Sequence, residues 1–286
     1  MQRELIYVHI AVLLFGLSGL FANWIPLPAP AIVLGRVFFA AFFLYLILLL
    51  LKKKILLPSL KGYVPFLLLG AVLAVHWGSF FHAIQLSSVA VGLVTFATFP
   101  VFASFLEPIF LKEKFIGKSV VFAAITFTGV LFIVPDFDLT NEYTQGAVWG
   151  LVSAVTFAVL SILNRAFVKN HSSLVIGFYQ NFFAFFCLVP FLPLLMQQIS
   201  LYNLSLLLLL GVLFTGIAHV VFIQGLTKLN VRTASIIASL EPVYGIAAAA
   251  VIFFEVPVLR EWIGIFLILS TAMIVSIHKV TSESTE

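Results

Sequence analysis

The chain is poor in charged residues and has almost no cysteine. Of its 286 residues only 9% are charged, whereas 63% are hydrophobic. Soluble globular domains are about 25% charged and about 45 to 50% apolar, so this chain lacks the polar surface that a soluble fold requires. Its one cysteine, Cys187, excludes an intramolecular disulfide and a multi-cysteine metal or redox centre. The composition therefore predicts an integral membrane protein.

Several sequence signals of other functional classes are also missing. The chain has no GxxxxGK[ST] pattern and no segment long enough for a soluble ATPase domain, which excludes direct ATP drive for this chain. His76 and His82 lie six positions apart and lack the i, i+4 spacing of a helical metal pair. We therefore expect no metal and no cofactor. The formal net charge of +4 is explained by membrane topology, so no nucleic-acid partner is expected.

The hydrophobic runs have the length of helices that cross a bilayer. About 30 Å of hydrocarbon requires about 20 helical residues, and these runs do not alternate as the strands of an outer-membrane barrel do. The predicted fold is an all-α integral membrane protein with about ten transmembrane helices. The predicted spans cover residues 5–24, 30–51, 63–84, 88–111, 118–135, 146–168, 173–195, 204–226, 233–253 and 262–278.

The basic residues predict how these spans are oriented. If the N-terminus is cytoplasmic, 13 of the 15 lysines and arginines lie on the inner side, while Arg260 lies in an outer loop and Arg36 lies inside a span. Cytoplasmic loops carry such an excess of basic residues. Both termini are therefore predicted to be cytoplasmic. The short loops favour a bacterial inner membrane, with the lipid bilayer as the surroundings of a monomer or homodimer.

The two halves of the chain resemble each other. The segment FATFPVFASFLEPIFLKEKF (96–115) aligns with ASLEPVYGIAAAAVIFFEVP (238–257) at a constant offset of 142 residues, which places Pro100 against Pro242. These segments belong to the fourth and the ninth predicted spans. Each half then contains five spans, and an odd number inverts the second copy. We predict two inverted five-helix repeats, with domains at residues 1–142 and 143–286.

The sequence also resembles a known family. The segments concerned are GLSG (16–19), LGRVFFAAFFL (34–44), HAIQLSSVAVGLVTFATFPVFASFLEPIFLKEKF (82–115), LSILNR (160–165) and LEPVYGIAAAAVIFFEVP (240–257). Together they resemble an EamA-like transporter of the drug/metabolite transporter superfamily. The resemblance implies ten transmembrane helices in two inverted halves, and export or exchange of small metabolites.

Charged residues within the spans are the first candidates for a transport pathway. Glu241 lies near the middle of the ninth span and precedes Pro242, whose ring removes one helical hydrogen bond. It either lines the pathway and carries a proton or fixes helix packing. Arg36 either extends to the membrane surface, neutralises Glu241 or receives an anionic substrate. Glu107 is assigned a gating or structural role, and Pro100 and Pro242 are assigned as helix breaks.

Uncharged polar and aromatic residues within the spans extend this candidate pathway. By the offset of 142, Trp77 corresponds to His219 and His82 corresponds to Gln224. Similar groups therefore recur at equivalent depths in the two halves, which favours a shared cavity lining. The further candidates of this kind are His76, Tyr179, Asn181 and Asn164.

The main functional hypothesis is a secondary transporter, not an enzyme. It would move a small organic metabolite, such as an amino acid or a drug-like compound, by alternating access around a central cavity with proton or counter-solute coupling. One alternative is a rhomboid-type intramembrane serine protease, in which Ser18 of the GLSG segment would be activated by His219. A second alternative is a non-transporting membrane scaffold.

Overall fold

The computed structural model describes residues 2–57, 59–111, 117–134, 138–228, 237–238 and 240–283, and every regular element in these ranges is helical. Seven helical stretches are long and apolar enough to cross a membrane. They are Arg3–Trp24, Ala29–Leu50, Leu60–Leu86, Val89–Phe110, Glu142–Phe167, Ser173–Met196 and Leu201–Gly225. These stretches coincide with the predicted first to fourth and sixth to eighth spans, so the part of the chain that the structure describes has the helical fold predicted for a membrane protein.

Three predicted spans are not among these seven stretches. The fifth is occupied by a shorter apolar helix, Lys118–Ile133, and the ninth by another, Glu241–Ile252. The tenth lies within the helix Leu259–Glu283. Much of the first half of the predicted ninth span lies outside the described residues. The count of ten membrane crossings therefore stays a prediction.

Twelve helices of eight residues or more carry the architecture of the described chain. They are α1 (Gln2–Ser18), α2 (Ala29–Leu50), α3 (Tyr63–Leu86), α4 (Val89–Phe96), α5 (Phe99–Leu111), α6 (Lys118–Ile133), α7 (Glu142–Phe167), α8 (Ser173–Leu188), α9 (Leu201–Gly211), α10 (Ala218–Gly225), α11 (Glu241–Ile252) and α12 (Leu259–Glu283). Short helical turns at Phe21–Trp24 and Leu192–Met196 follow α1 and α8. A π-helix, Val212–Ile217, joins α9 to α10.

Local sequence explains where several helices begin. Four of them start after a residue whose side chain accepts a hydrogen bond from a backbone N–H of the first turn. These N-cap residues are Ser88, Asn141, Ser172 and Ser200. The two repeat-related prolines also lie in first turns, Pro100 in α5 and Pro242 in α11. In that position the missing proline N–H leaves no intrahelical bond unmade.

One end of the helical bundle is closed by side chains from several helices, and we name it the Glu255 end. The carboxylate of Glu255, just after α11, accepts hydrogen bonds from Asn23 Nδ2 at 3.1 Å and from the backbone N–H of Val89 at 3.3 Å. Gln85, near the end of α3, accepts a bond from Ala29 N at 2.9 Å and donates to two carbonyls of the α1–α2 connection. The end of α1, the starts of α2 and α4 and the ends of α3 and α11 therefore meet here.

The opposite end, named the Lys228 end, joins the remaining helix termini. Lys228 after α10 pairs with Glu4 of α1 across 3.3 Å. Ser173 at the start of α8 donates to Gln224 of α10 at 2.9 Å. Phe66 near the start of α3 packs against Phe167 at the end of α7, with ring centres 4.9 Å apart. α1 and α3 therefore run from the Lys228 end to the Glu255 end, whereas α7 ends at the Lys228 end.

Packing between the helices follows the internal repeat. α1 packs against α10 and α11, while α7, which corresponds to α1, packs against α3 and α4. α2 packs against α9 and the π-helix, while α8, which corresponds to α2, packs against α3. The equivalent helices α6 and α12 also contact each other, as do α2 and α8. Each half thus packs mainly against the other half, and the core lies between them.

Candidate functional site

Arg36 lies at the centre of a buried polar cluster between the two halves. It belongs to α2 and has no exposed surface. Its guanidinium carbon lies 3.4 Å from the centre of the Trp77 ring and 5.1 Å from that of Phe81. A cation over an aromatic face is stabilised by the negative face of the ring. The side chain of Arg36 is held inside the protein, so it does not extend to the membrane surface.

The π-helix fixes one edge of the guanidinium. Arg36 Nε donates to the hydroxyl of Thr215 at 2.9 Å, and Thr215 donates in turn to the carbonyl of Leu210 at 2.8 Å. Among the described residues, Arg36 Nη1 and Nη2 have no hydrogen-bond partner. The cluster therefore presents a positioned guanidinium whose outer two nitrogens remain available.

Trp77 and His219 meet face to face at the centre of the cluster. Their ring centres are 5.5 Å apart and the planes differ by 21°. Gln180 of α8 donates through Nε2 to His219 Nδ1 at 3.0 Å, and Phe15 of α1 contacts the imidazole edge-on at 5.3 Å. Because residues 77 and 219 are related by the repeat offset of 142, their contact places the boundary between the halves inside this cluster.

His76 connects α3 to α7 beside this stack. Its Nδ1 lies 3.1 Å from the carbonyl oxygen and 3.0 Å from the hydroxyl of Ser153. The imidazole also packs against the rings of Phe96 and Phe157, with centres 5.5 and 5.0 Å away. Both histidines are close enough to Arg36 to interact with it electrostatically.

Glu241 adds a buried carboxyl group to the cluster. It is the first residue of α11 and is 4% exposed. It interacts electrostatically with Arg36, but no direct ion pair between them is present in the described chain, since both outer nitrogens of Arg36 are unpartnered. Gly16 and Gly245 allow α1 to approach α11 here, because a Cβ on Gly16 would lie 2.5 Å from the Glu241 carbonyl oxygen.

Three candidates from the sequence lie near the Lys228 end, away from Arg36. Tyr179 donates through its hydroxyl to the carbonyl of Ile55 at 2.5 Å and so holds the α2–α3 connection. Gln224 is exposed and accepts the bond from Ser173. Asn164 is buried in the last turn of α7. The first two of these residues connect helix termini.

The other three candidates occupy separate positions within the bundle. His82 is partly buried and packs edge-on against Trp149 of α7 at 5.4 Å. Asn181 is buried and donates to the carbonyl of Gly177 at 2.8 Å within α8. Glu107 is buried in α5, which packs against α7 and α12. The structure thus unites Arg36 with Trp77, His76, His219 and Glu241, and leaves six of the predicted residues outside this cluster.

Ser18 and His219 do not form a catalytic pair in the structure. The hydroxyl of Ser18 donates to the carbonyl of Phe15 at 2.7 Å within α1, and Nδ1 of His219 accepts from Gln180. A serine nucleophile requires its hydroxyl within hydrogen-bond reach of the base. In the described ranges, no three His, Cys, Asp or Glu side chains converge on a metal position either.

Sequence reasoning did not identify Thr215, Ser153 or Phe81 as parts of the cluster. Thr215 lies in an apolar run, and its contact with Arg36 comes from a π-helix that shifts the register of the turn. No periodicity in the sequence marks that shift. Ser153 is one of several small polar residues in α7, and only its position opposite His76 distinguishes it.

Comparison with known proteins gives one relative that matches the whole chain and another that matches about two thirds of it. The "Uncharacterized transporter YxxF" of Bacillus subtilis is 25% identical over 295 residues, covering 100% of this chain and 94% of that protein. An "Uncharacterized transporter" of Archaeoglobus fulgidus is 26% identical over 197 residues, covering 68% of this chain and 70% of its own length. Both relatives are named as transporters.

One solved crystal structure of another protein shares the fold. It superposes with a TM-score of 0.67 over 97% of this chain and 98% of that chain, at 18% sequence identity. At this identity the likeness concerns the fold alone.

The family comparison accounts for both halves of the chain. The model of the EamA-like transporter family matches residues 2–134 and again residues 144–277. This double match agrees with the packing of the helices, in which each half contacts mainly the other half. It also confirms the resemblance inferred from the sequence. The chain therefore belongs to the EamA-like transporter family, as an integral membrane protein built from two repeats.

Proposed function

We propose that this protein is a secondary transporter that moves a small organic metabolite by alternating access around the Arg36 cluster. The observation that carries the proposal is the stacking of Trp77 on His219, two residues at equivalent positions of the two repeats, beside a buried arginine. Secondary transporters with internal repeats place their binding site where the repeats meet. Polar groups kept at such a depth mark a solute pathway rather than a packing element.

The directions of the helices support two repeats of opposite orientation. α1 runs from the Lys228 end to the Glu255 end, since Glu4 pairs with Lys228 and Asn23 lies against Glu255. α7 runs the other way, because Phe167 at its end packs against Phe66 at the Lys228 end. An inverted pair of five-helix repeats gives this reversal. Rocking one half against the other would then open the cluster to each side in turn.

The charge distribution supports an assignment of sides. The Lys228 end carries the lysine-rich α2–α3 connection, and the positive-inside rule favours a cytoplasmic position for it. The Glu255 end then faces outward from a bacterial inner membrane. The Glu255 carboxylate and Gln85 connect five helix termini there, and we propose that these bonds hold the outer side closed. Such closure is one state of an exporter or exchanger.

Glu241 is the candidate for coupling transport to protons. It interacts electrostatically with Arg36, in a cluster that also contains His76 and His219. A carboxyl group that binds and releases a proton during the cycle would alter the charge of the cluster. Exchange of one solute for another is the alternative form of coupling at the same site.

Glu241→Gln separates proton coupling from packing. The amide keeps the size and hydrogen-bonding capacity of the side chain but cannot release a proton. In proteoliposomes with an imposed pH gradient, we expect the variant to retain counterflow exchange and to lose gradient-driven accumulation. Glu142→Gln, at the exposed start of α7, is the matched control and should behave as the unmodified protein does.

Two outcomes would contradict the proposal at different levels. If Glu241→Gln accumulates solute as the unmodified protein does, Glu241 is structural and the coupling lies elsewhere. If the reconstituted unmodified protein supports no solute flux above empty liposomes across a broad metabolite panel, the scaffold alternative takes its place.

A further inference from the structure

We propose that Arg36 receives the carboxylate of the solute, and that the solute is a small organic carboxylate with an apolar or aromatic body. That this solute is also carried across the membrane rests on the function proposed above. The binding itself depends only on the geometry of the cluster.

The guanidinium is constrained on one edge and on its face. Nε is bonded to Thr215, and Trp77 lies 3.4 Å from the guanidinium carbon. The edge formed by Nη1 and Nη2 has no partner in the described chain. Two parallel N–H groups of an arginine match the two oxygens of one carboxylate, and such bidentate pairs are among the strong hydrogen bonds of proteins. The free edge therefore fits a planar oxoanion.

The electrostatics of the cluster favour the same ligand. An arginine stays protonated inside proteins, and a buried charge without hydrogen-bonded partners is strongly unfavourable. Glu241 compensates this charge only at a distance, since it forms no direct pair with Arg36. A carboxylate that enters the cluster would satisfy both nitrogens at once. In its ionised form, Glu241 would compete with this carboxylate for Arg36.

The surroundings of Arg36 specify the body of the ligand. Trp77, Phe81 and Phe15 contribute buried aromatic surface around the guanidinium and the His219 stack. Ligand sites of this kind combine apolar walls with a few oriented polar groups. The side-chain oxygen of Gln180 is buried and unpartnered, so it is available to an ammonium group of the ligand. Simple carboxylates and zwitterionic amino acids share the carboxylate and differ in this second contact.

Matched ligands test the proposal with the purified full-length protein in detergent. The probes are 3-phenylpropionate and its amide, and phenylalanine and phenylalaninamide, each measured by thermal shift and by titration calorimetry. We expect both carboxylates to raise the melting temperature and neither amide to do so. Tighter binding of phenylalanine than of 3-phenylpropionate would show that Gln180 binds the ammonium group. The reverse order would show that the site prefers a carboxylate without an ammonium group.

Variants connect the binding to Arg36. Arg36→Lys keeps a positive charge but loses the planar fork, and it should weaken 3-phenylpropionate binding roughly tenfold or more. Arg165→Lys, in the last turn of α7, is the matched control and should not change binding. Glu241→Gln removes the competing charge, and it should strengthen binding severalfold.

The outcomes separate this proposal from the transporter proposal. Equal stabilisation by acids and amides in the unmodified protein overturns carboxylate recognition, and this comparison needs no variant to fold. Unchanged binding in a folded Arg36→Lys variant overturns the role of Arg36. Carboxylate binding without counterflow of the same compound supports the site and contradicts transport. Counterflow of an uncharged solute, with no carboxylate bound, supports transport and overturns the substrate class.

Discussion

The third and eighth membrane segments hold equivalent places in the two repeats, yet only the eighth departs from α-helical geometry. α3 is continuous from Tyr63 to Leu86, whereas the eighth segment contains the π-helix Val212–Ile217 between α9 and α10. The segments meet through Trp77 and His219, which occupy the same repeat position. The equivalent residues Trp77 and His219 therefore contact each other, while the backbone next to His219 differs from that next to Trp77.

The two halves also contribute different residues to the centre. By the offset of 142, Arg36 corresponds to Phe178 and Thr215 corresponds to Leu73. Phe178 is buried among aromatic neighbours, including Tyr45 with ring centres 6.0 Å apart. A π-helix turn displaces side chains relative to an α-helix and frequently occurs at functional sites. The two repeats therefore share a scaffold but differ in the residues at the centre, and the proposed binding site depends on that difference.

The largest expected effect concerns the orientation of the two halves. Lys54 and Met196 are equivalent by the offset of 142, and both are exposed. In a Cys187→Ala background, cysteine at position 54 should react with an impermeant thiol reagent only from the cytoplasmic side. Cysteine at position 196 should react only from outside. Labelling of both positions from the same side would contradict the inverted repeat.

Making the site symmetric should abolish transport. The double substitution Arg36→Phe and Thr215→Leu copies the residues found at the equivalent positions of the other repeat. It removes the guanidinium and its hydrogen-bond partner together. The solute then loses the two hydrogen bonds that Arg36 is proposed to donate to it. We therefore expect the transport rate in proteoliposomes to fall by about a hundredfold or more. The melting temperature should stay equal or rise, because replacing buried charged groups by apolar ones is often neutral or stabilising.

A substitution at the equivalent position of the other half is the control for this comparison. Phe178→Leu alters the equivalent position in the other half, away from Arg36, and should leave at least about half of the transport rate. Retention of more than about a tenth of the rate by the double variant would show that the solute does not depend on Arg36.

Most of the fold could be predicted from the sequence, because the length of a hydrophobic run and the position of charged residues can be seen in short segments. Seven predicted spans coincide with long apolar helices. The start of α5 next to Pro100 and the start of α11 next to Pro242 follow from the chemistry of proline. For the ninth predicted span, the described helix Glu241–Ile252 covers mainly the second half, so the full span stays a prediction.

The cluster could be predicted only in part because it depends on which side chains face inward. Trp77 and His219 were found through the repeat, and Arg36 and Glu241 through the high cost of charge in a bilayer. Tyr179 and Gln224 have equally polar side chains but serve as ties at the Lys228 end. Thr215 could not be recognised from the sequence, because a hydroxyl group within an apolar helix usually donates to a carbonyl of its own helix.

A smaller effect is expected where the two repeats use different small residues at one contact. Gly16 in α1 corresponds to Ala158 in α7. A Cβ at Gly16 would lie 2.5 Å from the Glu241 carbonyl oxygen, so Gly16→Ala forces the backbones apart and should destabilise the protein by about 1–3 kcal/mol. Ala158→Gly creates no overlap and should cost about 1 kcal/mol or less. Apparent melting temperatures in one detergent compare the two variants, and an equal loss in both would contradict the close approach of α1 to α11.

The smallest expected effect tests the π-helix through one hydroxyl. Thr215→Val keeps the shape of the side chain but removes the bond to Arg36 Nε and the bond to the Leu210 carbonyl. Arg36 would remain stacked on Trp77 with a less fixed orientation, so we expect the counterflow rate to fall about threefold to tenfold, as for one hydrogen bond to a charged group. Thr215→Ser keeps both bonds and should restore the rate to within about twofold. Leu73→Val, at the equivalent position of the regular helix α3, changes no such bond and should leave transport unchanged. If Thr215→Val transports as well as Thr215→Ser does, the hydroxyl does not position Arg36, and the difference between the two segments lies in the backbone alone.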